Sequence, residues 1–158
     1  MPSTNPVAIT NPIQFLAFGF GSGLSPKAPG TMGTLVAIPL YLAVAALPLA
    51  WYSLFIALTF VFGVWLCDRA SKQLGVHDHP GIVWDEFVGY WITLWAVPLG
   101  WQWVLAGFVL FRLFDIAKPW PIGWLDKRVH GGLGIMIDDV VAGAMACAVL
   151  HSAAWILN

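Results

Sequence analysis

Long apolar stretches alternate with three polar islands along the chain, and every charged side chain falls in an island. Lys27 stands alone in the first, the second runs from Asp68 to Glu86, and the third runs from Arg112 to Asp139. The apolar runs are Thr31 to Leu47 (interrupted by Pro39), Trp51 to Cys67, Phe87 to Val97, Trp101 to Phe111 and Val140 to Leu157. Uncharged tips at Pro48 and at Pro98, Leu99 and Gly100 join neighbouring runs. A charge at mid-bilayer is costly, so ionisable groups gather at helix ends. The pattern therefore predicts an all-α fold, a multi-pass transmembrane helical bundle with its polar loops on the cytoplasmic side. A span needs about 20 residues at a 1.5 Å rise per residue, and several runs reach that length only by extending into the islands. Four spans are predicted, with Thr31 to Leu47 a further candidate. Ile13 to Leu24 is shorter, carries Gly19, Gly21 and Gly23, and either lies in the interface or re-enters partway.

Composition strengthens this reading. Hydrophobic residues make up 59% of the 158 and charged residues 9%, against about 25% charge in soluble domains. Mean hydropathy is +0.80. The length suits one domain spanning residues 1–158. A net charge of −1 gives nothing in favour of nucleic acid. Met1 to Pro12 has no basic residue and no early apolar core, which is not the pattern of a secretory signal peptide. Cys67 and Cys147 lack paired or zinc-type spacing and read as unbridged packing residues.

If the spans alternate, Lys27, Arg69, Lys72, Arg112, Lys118, Lys127 and Arg128 share one side, which the positive-inside rule makes cytoplasmic. Trp51, Trp101, Trp103 and Trp155 then fall near the outer boundary and Trp84, Trp120 and Trp124 near the inner one, while Trp91 and Trp95 fit a core. Ala142, Gly143, Ala144, Ala146 and Ala148 would let the last helix pack closely against its neighbours.

The candidate chemistry sits in the islands. Asp85 and Glu86 open one helix, Asp115 follows the end of another, and Asp138 and Asp139 begin the last. Acids brought together repel, and a bound divalent cation reverses that penalty. All-oxygen ligation suits Mg²⁺, while the alternative is solvated acids at helix N-termini. Arg112, three residues before Asp115, could hold a phosphate with its planar fork, and Lys118 could add a point charge; anchoring to lipid headgroups is the alternative, favoured for Lys127 and Arg128. Asp68, four residues before Lys72, reads as a helix-surface partner, and Asp126 as a turn, cap or ligand residue; both stay outside the metal set. The glycine-rich stretch Gly19 to Gly33 is neither a Walker loop nor a dinucleotide fingerprint, but a helix starting at Thr31 could offer backbone N–H groups to phosphate. His77, Asp78 and His79 could bind metal, transfer protons or form a plain polar loop, the reading preferred here. His130 is equally open, and His151 reads as structural.

Taken together, GFGSG at Gly19 to Gly23 with PGTMG at Pro29 to Gly33, HDH at His77 to His79 with IVWDEFVG at Ile82 to Gly89, FRLFDIAKPWP at Phe111 to Pro121 and HGGLGIMIDDVVAG at His130 to Gly143 resemble the phosphatidylglycerophosphatase A family. The likeness spans Gly19 to Gly143 in the family's order. It implies an all-helical, Mg²⁺-dependent lipid phosphatase, multi-pass in the bacterial inner (cytoplasmic) membrane with its active site on the cytoplasmic face. Its substrate would be the phospholipid phosphatidylglycerophosphate, and its products phosphatidylglycerol and inorganic phosphate. The family's acidic motif positions fall on Asp85, Glu86, Asp115, Asp138 and Asp139, its basic ones on Arg112 and Lys118. Asp85, Glu86 and Asp139 are then the expected catalytic residues, and Thr31, Arg112 and Lys118 the expected phosphate ligands. A direct water attack and a phosphoenzyme both remain open. Neither cysteine precedes an arginine by five residues, and no Asp-x-Asp-x-Thr motif occurs, so two other phosphatase chemistries are excluded. A small transporter would place ionisable groups near mid-span. A metal-stabilised scaffold would keep the acids but release no phosphate. The sequence is silent on oligomeric state.

Overall fold

A computed structural model describes residues 5–158; the first four residues of the Met1 to Pro12 stretch lie outside them. The described chain is all-α. It contains seven α-helices: α1 (Pro12–Ala17), α2 (Pro29–Val44), α3 (Leu49–Leu74), α4 (Trp84–Thr93), α5 (Trp101–Ala117), α6 (Ile122–Arg128) and α7 (Gly131–Leu157). A single 3-10 turn spans Ser22–Leu24. Among the described residues, α3 and α7 are long and apolar enough to cross a membrane.

Local chemistry sets the boundaries. The Asn11 side chain accepts the Ile13 N–H and Pro12 begins α1. Pro29 begins α2. Gly75, in the left-handed region, ends α3 by donating its N–H to the carbonyls of Lys72 and Ser71. Pro39 does not stop α2, and its ring lies on the exposed face.

The apolar run predicted as a span at Phe87 to Val97 is a shorter element than expected. Helix α4 has 10 residues and ends at Thr93, so it rises only about 15 Å, half of a bilayer core. It is also the most enclosed helix, buried along nearly its whole length. Helices α2, α3, α5 and α7 surround it, and its most extensive contact is with α7. That crossing is made by two glycines. A Cβ at Gly89 would lie 2.8 Å from the Asp139 carbonyl oxygen, and a Cβ at Gly143 would overlap the Gly89 carbonyl. Small residues let the two backbones touch, as the run from Ala142 to Ala148 predicts. Of its small residues named above, Ala142, Gly143 and Ala146 are buried, while Ala144 and Ala148 face outward.

The N-terminal segment folds as α1 and the 3-10 turn. Gln14 is buried, accepting the Ala8 N–H at 2.8 Å and donating to Gln73 Oε1 on α3 at 3.2 Å. The Val83 N–H donates to the Ala17 carbonyl at 2.8 Å, which ties this segment to the start of α4. Its Phe15, Phe20 and Leu24 side chains remain exposed.

The tryptophans divide partly as expected. Trp51, Trp101, Trp120, Trp124 and Trp155 are exposed. Trp84 is buried inside the bundle, and its Nε1 donates to the Thr59 carbonyl at 3.1 Å. Trp91 fills the core, whereas Trp95, also expected in a core, is exposed and donates to Ser53 Oγ at 2.9 Å. Cys67 and Cys147 are buried and free.

Candidate active site

The five acids come from three helices that end at one place. Asp85 and Glu86 form the first turn of α4, Asp115 lies in the last turn of α5, and Asp138 and Asp139 lie two turns into α7. The α4–α7 crossing explains their meeting. Gly89 follows Asp85 by one helical turn and Gly143 follows Asp139 by one turn, so the backbone contact between these glycines aligns the preceding acids. Carboxylate oxygens of Asp85, Glu86 and Asp139 lie within 4.8 Å of one another, and so do those of Asp115, Asp138 and Asp139.

A pocket of about 320 Å³ opens here. Its walls include the five acids, Arg112, Lys118, Asp78 and the backbone from Ala28 to Gly30. Arg112 Nη1 bonds Asp115 Oδ2 and lies 3.8 Å from Glu86 Oε1. Lys118, left-handed at the end of α5, reaches Asp138 Oδ2 at 3.0 Å and Asp126 Oδ1 at 2.9 Å. Burial opposes the Lys118 charge, but the hydrogen bonds and charges of Asp126 and Asp138 outweigh it and raise its pKa. Asp126, outside the expected set, thus holds one of its cations in place.

Three buried carboxylate oxygens lack any hydrogen-bond partner: Asp85 Oδ1, Glu86 Oε2 and Asp139 Oδ2. Asp139 is only 1% exposed. Uncompensated buried charge is strongly unfavourable, and an oxygen-only donor set suits a hard divalent cation. The buried acidic clusters can therefore hold a metal ion.

The structure changes the expected set at two positions. Helix α2 starts at Pro29, two residues before the predicted start, so Thr31 does not line the pocket and Gly30 does. A Cβ at Gly30 would lie 2.5 Å from Glu86 Oε1 and 3.0 Å from Arg112 Nη2, and the glycine allows this approach. Asp78 enters the pocket wall although its motif read as a plain loop. It has a left-handed φ of 51° and is solvent-exposed. Nearby protein mass pushes its carboxyl upward, with Lys118 opposing; its contact with water screens much of that effect. The signal was its place seven residues before Asp85, in the same polar island. The neighbouring histidines do not enter: His79 Nδ1 accepts the Gly81 N–H at 3.0 Å, and His77 Nε2 accepts the Gly131 N–H at 3.1 Å. Asp68 pairs with Lys72 at 2.7 Å, as their spacing predicts.

A family model described as phosphatidylglycerophosphatase A matches residues 15–154. The chain belongs to the phosphatidylglycerophosphatase A family. It is 57% identical over 144 residues to a phosphatidylglycerophosphatase A of Escherichia coli (strain K12), covering 90% of this chain and 84% of that protein. Identity to a phosphatidylglycerophosphatase A of Haemophilus influenzae is 48% over 157 residues, covering 96% of each. A putative phosphatidylinositol-3-phosphatase of Bacteroides thetaiotaomicron is 41% identical over 148 residues, covering 89% of this chain and 92% of that protein. No solved structure matches the chain. The family match includes all five acids, Arg112 and Lys118.

Proposed function

We propose that this protein is a Mg²⁺-dependent phosphatase of the bacterial inner membrane that hydrolyses phosphatidylglycerophosphate to phosphatidylglycerol and inorganic phosphate. The observation that carries the reading is the pocket itself: five acids and two cations converge at one end of a helical bundle, in a chain of this family. The polar end faces the cytoplasm by the positive-inside rule, where the phosphomonoester of such a lipid stands above the leaflet. Shorter helices such as α2 and α5 complete the bundle around α3 and α7. The cavity lined by Phe18, Leu24, Pro26 and His79 abuts the acidic pocket, shares Pro29 and Pro80 with it, and leaves room for the glyceride side of the lipid.

Asp85, Glu86, Asp115, Asp138 and Asp139 are the residues that would hold Mg²⁺. When bound, Mg²⁺ there supplies charge neutralisation and Lewis acidity toward the phosphoryl oxygens. The Arg112 fork and the Lys118 ammonium bind and orient the phosphate. The Asp85 carboxylate orients a water for in-line attack and takes its proton. A bond forms from the water oxygen to phosphorus, the phosphorus–glycerol oxygen bond breaks, and the departing oxygen takes up the proton that Asp85 removed from the water. Glu86 and Asp139 complete with Asp85 the carboxylate trio that would hold an ion.

Phosphate release from detergent-dispersed phosphatidylglycerophosphate, with and without Mg²⁺, tests the proposal. Phosphatidylinositol 3-phosphate belongs in the same panel because of the Bacteroides relative. Release from phosphatidylglycerophosphate that stops on chelation and returns with Mg²⁺ is the expected result. No release from that lipid under any metal condition refutes the reading. A phosphorylated protein trapped by rapid quench replaces direct water attack with a phosphoenzyme route.

A further inference from the structure

The acids form two overlapping ligand sets, and this has a consequence for metal stoichiometry. Asp85, Glu86 and Asp139 make one trio, Asp115, Asp138 and Asp139 the other, and only Asp139 belongs to both. The trios differ in how they are compensated. In the second, Arg112 bonds Asp115, and Lys118 bonds Asp138 at 3.0 Å. In the first, the nearest cation is Arg112 Nη1, 3.8 Å from Glu86 Oε1. The unpartnered buried oxygens are Asp85 Oδ1 and Glu86 Oε2 in the first trio and Asp139 Oδ2 in the residue common to both.

Charge decides how many ions the pocket takes. With all groups ionised, five carboxylates face one guanidinium and one ammonium, a formal excess of three negative charges. One divalent cation leaves the pocket negative, and a phosphate monoester close to a dianion would be repelled. Asp78 is exposed and Asp126 partly so, and water screens their charges, so the balance counts the five acids and two cations alone. A second divalent cation reverses the sign. We infer that the pocket is a binuclear centre in which Asp139 bridges two divalent cations: one ion is held by Asp85 and Glu86, and the other by Asp115 and Asp138. The first trio fills first, because its donors are uncompensated, while Arg112 and Lys118 compete for the donors of the second.

This inference rests on the phosphatase reading for the charge of the ligand, but its test is independent of catalysis. The full-length protein, purified in detergent and stripped by chelation, is titrated with Mn²⁺. Bound ions per chain are counted by equilibrium dialysis, and electron paramagnetic resonance reports spin coupling between neighbouring ions. Two Mn²⁺ per chain with a coupled signal are expected. Asp138→Asn and Asp115→Asn should each lose one equivalent and the coupling, Asp85→Asn should lose the other, and Asp139→Asn should lose both. Circular dichroism and gel filtration identify variants that retain the fold; should Asp115→Asn unfold through its Arg112 contact, Asp138→Asn carries the test. One Mn²⁺ per chain, or two without coupling, overturns the binuclear centre. One ion with metal-dependent phosphate release would do so while leaving the phosphatase reading intact. Two coupled ions without phosphate release would keep the centre and remove the proposed reaction.

Discussion

Gly89→Ala probes the contact that assembles the pocket, and two physical effects oppose each other there. Alanine is a better helix former than glycine in a helix interior by about 1 kcal/mol, so propensity alone predicts a more stable protein. Packing predicts the opposite. The new Cβ would lie 2.8 Å from the Asp139 carbonyl oxygen and 2.6 Å from Phe111 Cε2. Carbon–oxygen contacts settle near about 3.3 Å, so α4 and α7 must part by about 0.5 Å at Asp139. That oxygen is main chain in mid-helix, and no rotamer change removes it. Overpacking of this kind costs about 1–3 kcal/mol, which outweighs the propensity gain over most of its range. Catalytic groups need to be held within about 0.5 Å of their productive places, and a 1 Å misplacement costs about 10²-fold in rate. Gly89→Ala should therefore reduce phosphate release at saturating Mg²⁺ by about tenfold or more, and lower the thermal midpoint by a few degrees. Ala144→Leu, on the outward face of α7, should change neither. A Gly89→Ala protein that is more stable and fully active would refute the argument that this crossing positions the acids.

Arg112→Lys should lose about 10²-fold in phosphate release, because an ammonium cannot offer phosphate oxygens the planar, two-pronged donor set of a guanidinium; a rate within twofold of the parent would exclude that role. Mg²⁺ should raise the thermal midpoint of the chelated protein, since a ligand at a hundred times its Kd adds about 2.7 kcal/mol; the shift should vanish in Asp139→Asn. Lys118 has its pKa raised in the folded protein by Asp126 and Asp138. Its contribution to stability is therefore fully present below its unfolded value of 10.5 and is lost as pH rises beyond that. Lys118→Met should be less stable than the parent at neutral pH, and chemical unfolding should show the gap narrowing above pH 10.5. A gap independent of pH would mean that the lysine acts through packing alone.

Much of the site was legible because polar groups in an apolar chain are few. Eight acids in 158 residues cannot sit at mid-bilayer without a reason, so their clustering near helix ends pointed to one face and one pocket. The three-residue spacing put Arg112 and Asp115 on one helical face, and the structure adds a direct bond between them that the sequence reading did not include. Asp78 was less legible. It lies in a loop, where no period ties a side chain to a face, and only folding of the segment between α3 and α4 puts it on the pocket wall. Thr31 shows the same limit from the other side: α2 begins at Pro29 instead, a two-residue change that replaces Thr31 with Gly30 at the pocket. Trp84 looked like an interfacial anchor, but the whole of α4 is enclosed by four helices, and its indole found a carbonyl inside the bundle.

The sequence by itself determined the class of the protein: helical, rich in apolar runs, with its acids and bases confined to their ends. Those properties depend on composition and on periodicity along one chain, and the cost of placing charge in hydrocarbon acts on each residue separately. The tertiary structure decided which helix is central, how far each runs, and that Asp139 is shared between two carboxylate trios. These are relations between separate helices, distant from one another along the chain. They are fixed by how closely Gly89 and Gly143 let two backbones approach, a steric fact that no local pattern expresses.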